Sequence, residues 1–359
     1  MAAINLLLFL ATSASTQHRA DGSVMVYGDD DHVLVVSPTV AGSTRVGPVS
    51  ASAHVTLDII SAASVDLVTS ASPGGYDEQR TEVGAGVGLN LGPGHEVDVS
   101  YGWSGEPDYE THSLSVGHAI DLLGRRATLA ASYGFARSRV GRKNDSVFEE
   151  HKDTHRADLT WSHALTRDVA LDVSYGLSIA EGFQANPYRF VRLYEPGAPQ
   201  HATAVPETAP DERIRNTATL RVRSRLTGRL FGIADYRFYG DSWGVLAHTA
   251  TLRASLGLLG DALTLTAETR GTVQGAASFY RERYETLPSA PELRTADKEL
   301  GGLWSLLGGL HAEYTLSLHS RHALRLGVGA DVVHFRYLDF EFLTGRTAFI
   351  TTADLSWEM

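Results

Sequence analysis

The sequence predicts an all-β protein: a transmembrane antiparallel up-and-down β-barrel of about sixteen strands, with short periplasmic turns and long extracellular loops. Three observations carry that expectation. Apolar and polar residues alternate with a period of two from about residue 22 to the end of the chain. The alternating runs last roughly 10 to 14 residues, enough to cross a bilayer at the tilt of barrel strands, whereas soluble sandwich strands are about half as long. The connections, finally, divide into tight turns and long polar loops.

Composition agrees and excludes other classes. The chain has 359 residues, 43% of them hydrophobic, yet no apolar run is long enough for a spanning helix. It contains 35 Gly and no Cys, so disulfides, thiolate nucleophiles and Cys-based zinc sites are excluded. A formal net charge of −11 opposes nucleic acid as a partner, because phosphate binding wants a basic patch. Ile4–Ala11 is an apolar core followed by Thr12, Ser13, Ala14 and Ser15, the pattern of a secretory signal. Residues 1–15 are therefore expected to be a signal peptide and 16–359 a single outer-membrane barrel domain.

The strands follow from the alternation. Val97, Val99, Tyr101 and Trp103 oppose Glu96, Asp98, Ser100 and Gly102; Leu171, Val173, Tyr175, Leu177 and Ile179 oppose Asp172, Ser174, Gly176 and Ser178. Successive side chains on a strand point to opposite faces, so each run has one apolar and one polar face. Trp103, Trp161, Tyr175 and Tyr236 fall towards strand ends on the apolar face, where aromatic girdles meet the lipid headgroups.

Tight turns recur at Gly47-Pro48, Gly92–His95, Leu123–Arg125, Leu165–Asp168, Leu226–Arg229, Leu259–Asp261 and Ser320–His322. Longer polar stretches lie near residues 62–80, 141–155, 184–212 and 275–300. Seven tight turns define fourteen strands. Ser23–Tyr27, turning at Asp29-Asp30-Asp31, adds one before Val33–Arg45, and Arg346–Met359 adds the last. Sixteen is even, which puts both termini in the periplasm. The alternating ending Leu355-Ser356-Trp357-Glu358-Met359 is like the terminal strand by which barrel-insertion machinery recognises its clients.

The chief chemical feature is a row of arginines on one strand face: Arg213, Arg215, Arg221, Arg223 and Arg225. Guanidinium groups facing lipid are costly, so this face is expected to line the lumen. Asp235 and Arg237 on the next strand, with Glu268, Asp98 and Asp172, complete the candidate lumen-lining set. The row either steers anions or forms a structural ladder with those carboxylates; the ladder is favoured.

Other constellations are read more plainly. Asp29-Asp30-Asp31 lacks calcium-loop spacing and is read as a soluble turn, and Asp58 and Asp66 as caps of a loop. His151 and His155 are placed in a loop, as titrating surface groups. Neither Ser162-His163 nor Asp153 with His155 forms a recognisable hydrolase motif. Gly84-Ala85-Gly86-Val87-Gly88 reads as a crowded strand rather than a phosphate loop. No catalytic residue, cofactor or metal site is expected.

Several loop segments form a recognisable set: Tyr27–Asp31, Asp58–Asp66 with Ser70–Pro73, Glu106–Tyr109, Asn186–Arg189, Tyr239–Trp243 with His248-Thr249, and Arg294–Leu300. In one order along the chain, they resemble a bacterial outer-membrane family catalogued as domain of unknown function 3570. The resemblance implies a barrel in the bacterial outer membrane and no activity. The reading favoured is a passive channel or export conduit with a charged lumen, its partners being membrane lipid, the insertion machinery and small polar solutes. The alternatives are a non-conducting scaffold for periplasmic redox or lipoprotein partners and a surface-exposed barrel hydrolase.

Overall fold

A strand in hydrocarbon must hand every backbone N–H and C=O to a neighbour, so a sheet that crosses a bilayer has to close on itself. The computed structural model of the protein describes residues 16–62, 76–143, 145–285, 291–319 and 322–359. The expected signal peptide, Asp66 and Ser70–Pro73 lie outside them. Among the described residues the sheet does close, into a barrel of sixteen antiparallel strands.

The first half of the barrel is β1 (Thr16–Asp29), β2 (Val33–Val46), β3 (Val49–Ala62), β4 (Tyr76–Gly92), β5 (His95–Gly105), β6 (Tyr109–Leu122), β7 (Ala127–Arg142) and β8 (Asp145–Ala164). β9 (Val169–Gly182) then leads into a loop carrying β10 (Phe190–Glu195) and β11 (Ala198–Pro206). The barrel resumes with β12 (Glu212–Arg225), β13 (Leu230–Asp241), β14 (Leu246–Leu258) and β15 (Leu263–Gln274). A second loop holds the short β16 (Tyr284–Glu285), before β17 (Leu303–His319), β18 (His322–Tyr337) and β19 (Gly345–Glu358). Each barrel strand pairs with the next in the chain, and β19 closes on β1. At that seam the amide of His18 donates to the carbonyl of Met359 at 3.1 Å, and the amide of Met359 to that of His18 at 2.9 Å.

Alternation separates the two surfaces. Leu306 is 54% exposed and its neighbour Leu307 only 4%. The outer surface carries Val40, Val87, Val99, Leu114, Leu159, Val173, Leu220, Leu252 and Phe349. The expected girdle aromatics Trp103, Trp161, Tyr175 and Tyr236 share that outer face, the last beside an imidazole: Tyr236 meets His248 at 2.6 Å, as Tyr101 meets His112 and Tyr133 meets His155 at 2.7 Å.

The tight turns share their chemistry. Leu123, Gly124 and Arg125 are all left-handed, as are Leu259, Gly260 and Asp261. In the other pair a threonine closes the turn: Thr166 Oγ1 accepts from Asp168 and Val169, and Thr227 Oγ1 from Arg229 and Leu230.

Three expectations are corrected. The stretch 141–155 is not a loop; β7 and β8 pair as far as Arg142 opposite Asp145, and His151 and His155 stand on a strand. Both faces of that hairpin tip are polar, because it projects beyond the lipid, so the period-two signal vanishes while the ladder continues. Residues 76–80 likewise belong to β4, and β1 starts at Thr16 rather than Ser23.

Candidate functional site

The site is the barrel interior and the loop structure at its mouth. All ten candidate residues lie on the face turned away from the exposed apolar positions. The arginine row is mostly a ladder. Arg213 pairs with Asp241 at 2.5 Å and Arg223 with Asp172 at 2.8 Å; Arg221 pairs with Asp235 and Arg225 with Asp168. Cross-strand register explains the partners, since Arg221 stands directly opposite both Asp172 and Asp235. Glu268 instead takes Arg253, its own opposite number on β14. Arg215 meets the Tyr239 hydroxyl and lies beside Arg213. Asp98 joins no arginine.

A second pattern keeps the interior wide. Several inward carboxylates and imidazoles lie flat across a glycine directly opposite them. Asp98 covers Gly117, Asp158 covers Gly176, Asp331 covers Gly309 and Asp354 covers Gly327; His54 covers Gly84 and His311 covers Gly329. A methyl group at any of these glycines would collide with the side chain above it. This accounts for the glycines of Gly84–Gly88 as inner-wall positions of β4.

The unmatched charges segregate along the axis. Among the described residues, Arg215, Arg237 and Arg270 meet no carboxylate within 4 Å; all three lie in the loop-end halves of β12, β13 and β15. Asp98, Glu313 and Asp354 meet no cation within 4 Å and lie in the turn-end halves of β5, β17 and β19. At the turn end, Arg19, Arg45, Ser52, Glu96, Asp98 and Glu358 border an open cavity of about 1150 Å³.

The mouth is built by the two long loops. β10, β11 and β16 form a small sheet there, over a core of Val191, Leu193 and Tyr284. A second core joins Trp243, Val245, Phe279 and Tyr280. Buried ionic contacts lock the loops together: Arg189 reaches Asp297 and, at 3.9 Å, Glu207, whose carboxylate also accepts from the Thr295 hydroxyl and the Asn186 amide. Burial pushes the Glu207 carboxyl above the usual range, against the opposing pull of Arg189. Tyr188 ties this structure to the β5–β6 turn by donating to Asp108. On the other side Glu299 accepts from Arg346 and Tyr337, and Lys298 lies 4.0 Å from Asp31. Inside the barrel below, Leu307, Val333 and Ala348 pack with Tyr27, Phe335 and Ile350.

The lesser motifs resolve as well. Asp29 caps its hairpin by accepting from the amides of Asp31 and Val33, at 3.0 and 2.9 Å. Asp58 is not a loop cap; it sits inside β3 and pairs with Arg80 at 2.6 Å, because the strands run on past the expected loop boundary. Ser162 and His163 point to opposite faces, and Asp153 is held by Arg137 on the outer face, at 2.6 Å. No metal-holding cluster occurs among the described residues. Sequence reasoning missed Lys152, Arg189, Glu207 and Thr295. Arg189 had a signal in Asn186-Pro187-Tyr188-Arg189 and Thr295 in Arg294–Leu300; Lys152 and Glu207 had none.

A family model described as "Protein of unknown function (DUF3570)" matches residues 139–330. No curated protein matches the chain. Among solved structures, a bacterial polysaccharide outer-membrane secretin is similar at a TM-score of 0.53 and 9% identity, over 97% of this chain and 99% of that one. The outer-membrane protein OpdK of Pseudomonas aeruginosa is similar at 0.46 and 10%, over 96% and 99%. A loop-deleted OmpT of Vibrio cholerae is similar at 0.48 and 10%, over 96% and 100%. The first likeness shows the fold. With the closed sheet and its apolar outer face, it puts the protein in the bacterial outer membrane.

Proposed function

The chain belongs to the DUF3570 family of proteins of unknown function, and from that premise we propose that it is a passive channel for small polar solutes. One observation carries the reading: four inward carboxylates, Asp98, Asp158, Asp331 and Asp354, are folded back onto the wall, over glycines, instead of being packed across the lumen. A barrel filled to serve as a rigid plug has no need of such recesses, and sixteen strands leave an aqueous interior unless loops fill it. The axial order of the unmatched charges, cations outside and anions towards the periplasm, would give anions a favourable entry.

The locked loops at the mouth favour a second reading, a gated or non-conducting scaffold that anchors periplasmic partners. Enzymatic activity has no support in the geometry of Ser162, His163, Asp153 and His155. Single-channel recording of the purified protein in planar bilayers separates the two. Stable conductance supports the channel; a folded, inserted protein that passes no current overturns it and leaves the scaffold.

A further inference from the structure

Beneath the loops lies a pocket of about 460 Å³, within the range of small-molecule sites. Its acids are already engaged. Asp108 accepts from Tyr188, while Glu207 and Asp297 hold Arg189. Glu106 is pushed towards its neutral form by burial. Arg213 is spent on Asp241 and stacks on the Trp243 ring at 4.1 Å.

The donors are different. Lys152 points over the Tyr109 ring at 5.4 Å and meets no carboxylate among the described residues. Arg215 likewise has no carboxylate in contact: the Tyr239 hydroxyl meets it, and Asp241 acts on it only from further off, being bonded to Arg213 and Tyr239. Gln184 also lines the pocket, and its Nε2 is buried with no hydrogen-bond partner. A buried amide donor left unmade is costly, and two cations with no carboxylate in contact line the same pocket, which favours an anion there. All three line the same pocket, at different depths: Lys152 stands opposite Gly182, two residues before Gln184, and Arg215 opposite Ser178, four residues back from Gly182 along β9.

We propose that this pocket is a subsite for small organic carboxylates with an apolar or aromatic body, the carboxylate taken by Lys152, Arg215 and the Gln184 amide. Tyr109, Phe183 and Tyr188 supply the surface for the body. The proposal names the substrate class of the proposed channel and rests on that reading for transport, though not for binding.

The test uses the purified full chain, with benzoate as probe and benzamide as its uncharged isostere. Benzoate added on the loop side should block the ionic current, and benzamide should not. Lys152→Gln and Arg215→Gln should each weaken the block roughly tenfold, the scale of one charge-assisted hydrogen bond. Lys152→Gln strands no carboxylate, so it keeps the test available if Arg215→Gln fails to fold. Calorimetric titration of the folded protein in detergent reads binding separately. Binding without current keeps the subsite and sinks the channel. Equal effects of benzoate and benzamide, or unchanged binding in Lys152→Gln, overturn the subsite.

Discussion

Asp98 on β5 lies across the bare backbone of Gly117 on β6, its direct opposite, so that the glycine is the recess into which the carboxylate folds. The relationship recurs around the barrel, and it predicts what a methyl group would do. In Gly117→Ala the carboxylate is forced off the wall and into the lumen. The expected result is a smaller single-channel conductance and a shift towards cation preference. Gly327→Ala, which displaces Asp354, should act in the same direction. Unchanged reversal potentials in both variants would contradict the account.

The arginines divide into paired and unpaired groups, and their substitutions should divide likewise. Replacing Arg221, Arg223 and Arg225 together with Gln removes three ion pairs and strands Asp235, Asp172 and Asp168. The expected loss is roughly 1–3 kcal/mol in total, since half-exposed pairs are worth little each, read as lower heat resistance of the folded barrel on gels. Arg237→Gln with Arg270→Gln breaks no pair. It should leave stability alone and move ion preference towards cations, less so at high salt, where screening shortens the reach of each charge.

Register can be checked residue by residue. Cysteines introduced at Asp98, Asp172 or Arg221 should react with a membrane-impermeant reagent. Those at Val99, Val173 or Leu220, each close to half exposed on the outer wall, should be shielded by lipid. Preferential labelling of the second set would reverse inside and outside.

Topology has a cellular test. An epitope inserted at Ala202 in β11 should be reached by antibody on intact cells, and one in the Gly260 turn only after permeabilisation. Equal access at both sites would refute the orientation.

The mouth should respond to pH through Glu207. Its carboxyl is raised in the folded protein, so the native state favours the protonated form. That contribution is complete below the ordinary carboxylate range and is lost as pH rises through the folded value. The loops at 186–207 and 291–300 should therefore exchange amide hydrogens more slowly at pH 4 than at pH 7, after correction for the intrinsic rate. Glu207→Gln should flatten the difference. A wild-type protein whose corrected protection is the same at both values would refute this.

The barrel was legible in the sequence because lipid imposes the alternation: Val99 and Val173 had to be apolar, and Asp98 and Asp172 were free not to be. Where lipid ends, so does the signal. The β7–β8 tip pairs Arg139 with His151 and Ser138 with Lys152, polar on both faces, and it read as a loop. The small sheet of β10, β11 and β16 was invisible for a related reason. It is short, and its parallel pairing of Leu193 with Tyr284 joins segments far apart in the chain. The arginine row was legible as inward, and neighbouring strands supplied the pool of partners. Which carboxylate each arginine takes depended on diagonal reach; Arg223 crosses to Asp172 rather than to the alanine opposite it.

The seam between β1 and β19 sets a condition on assembly. Every other pair of barrel neighbours is consecutive along the chain and can form as soon as both members are present. The pairing of β1 with β19, in which His18 meets Met359, spans up to roughly 340 residues, and closing so long a loop carries an entropy cost of roughly 5 kcal/mol. Until the last strand has been threaded, the sheet is an open ribbon with two unpaired edges, each a template for another copy's strand. Truncating the final few residues should therefore harm the yield of folded protein far more than cutting an equal length from an outer loop, because it leaves that ribbon with nothing to meet.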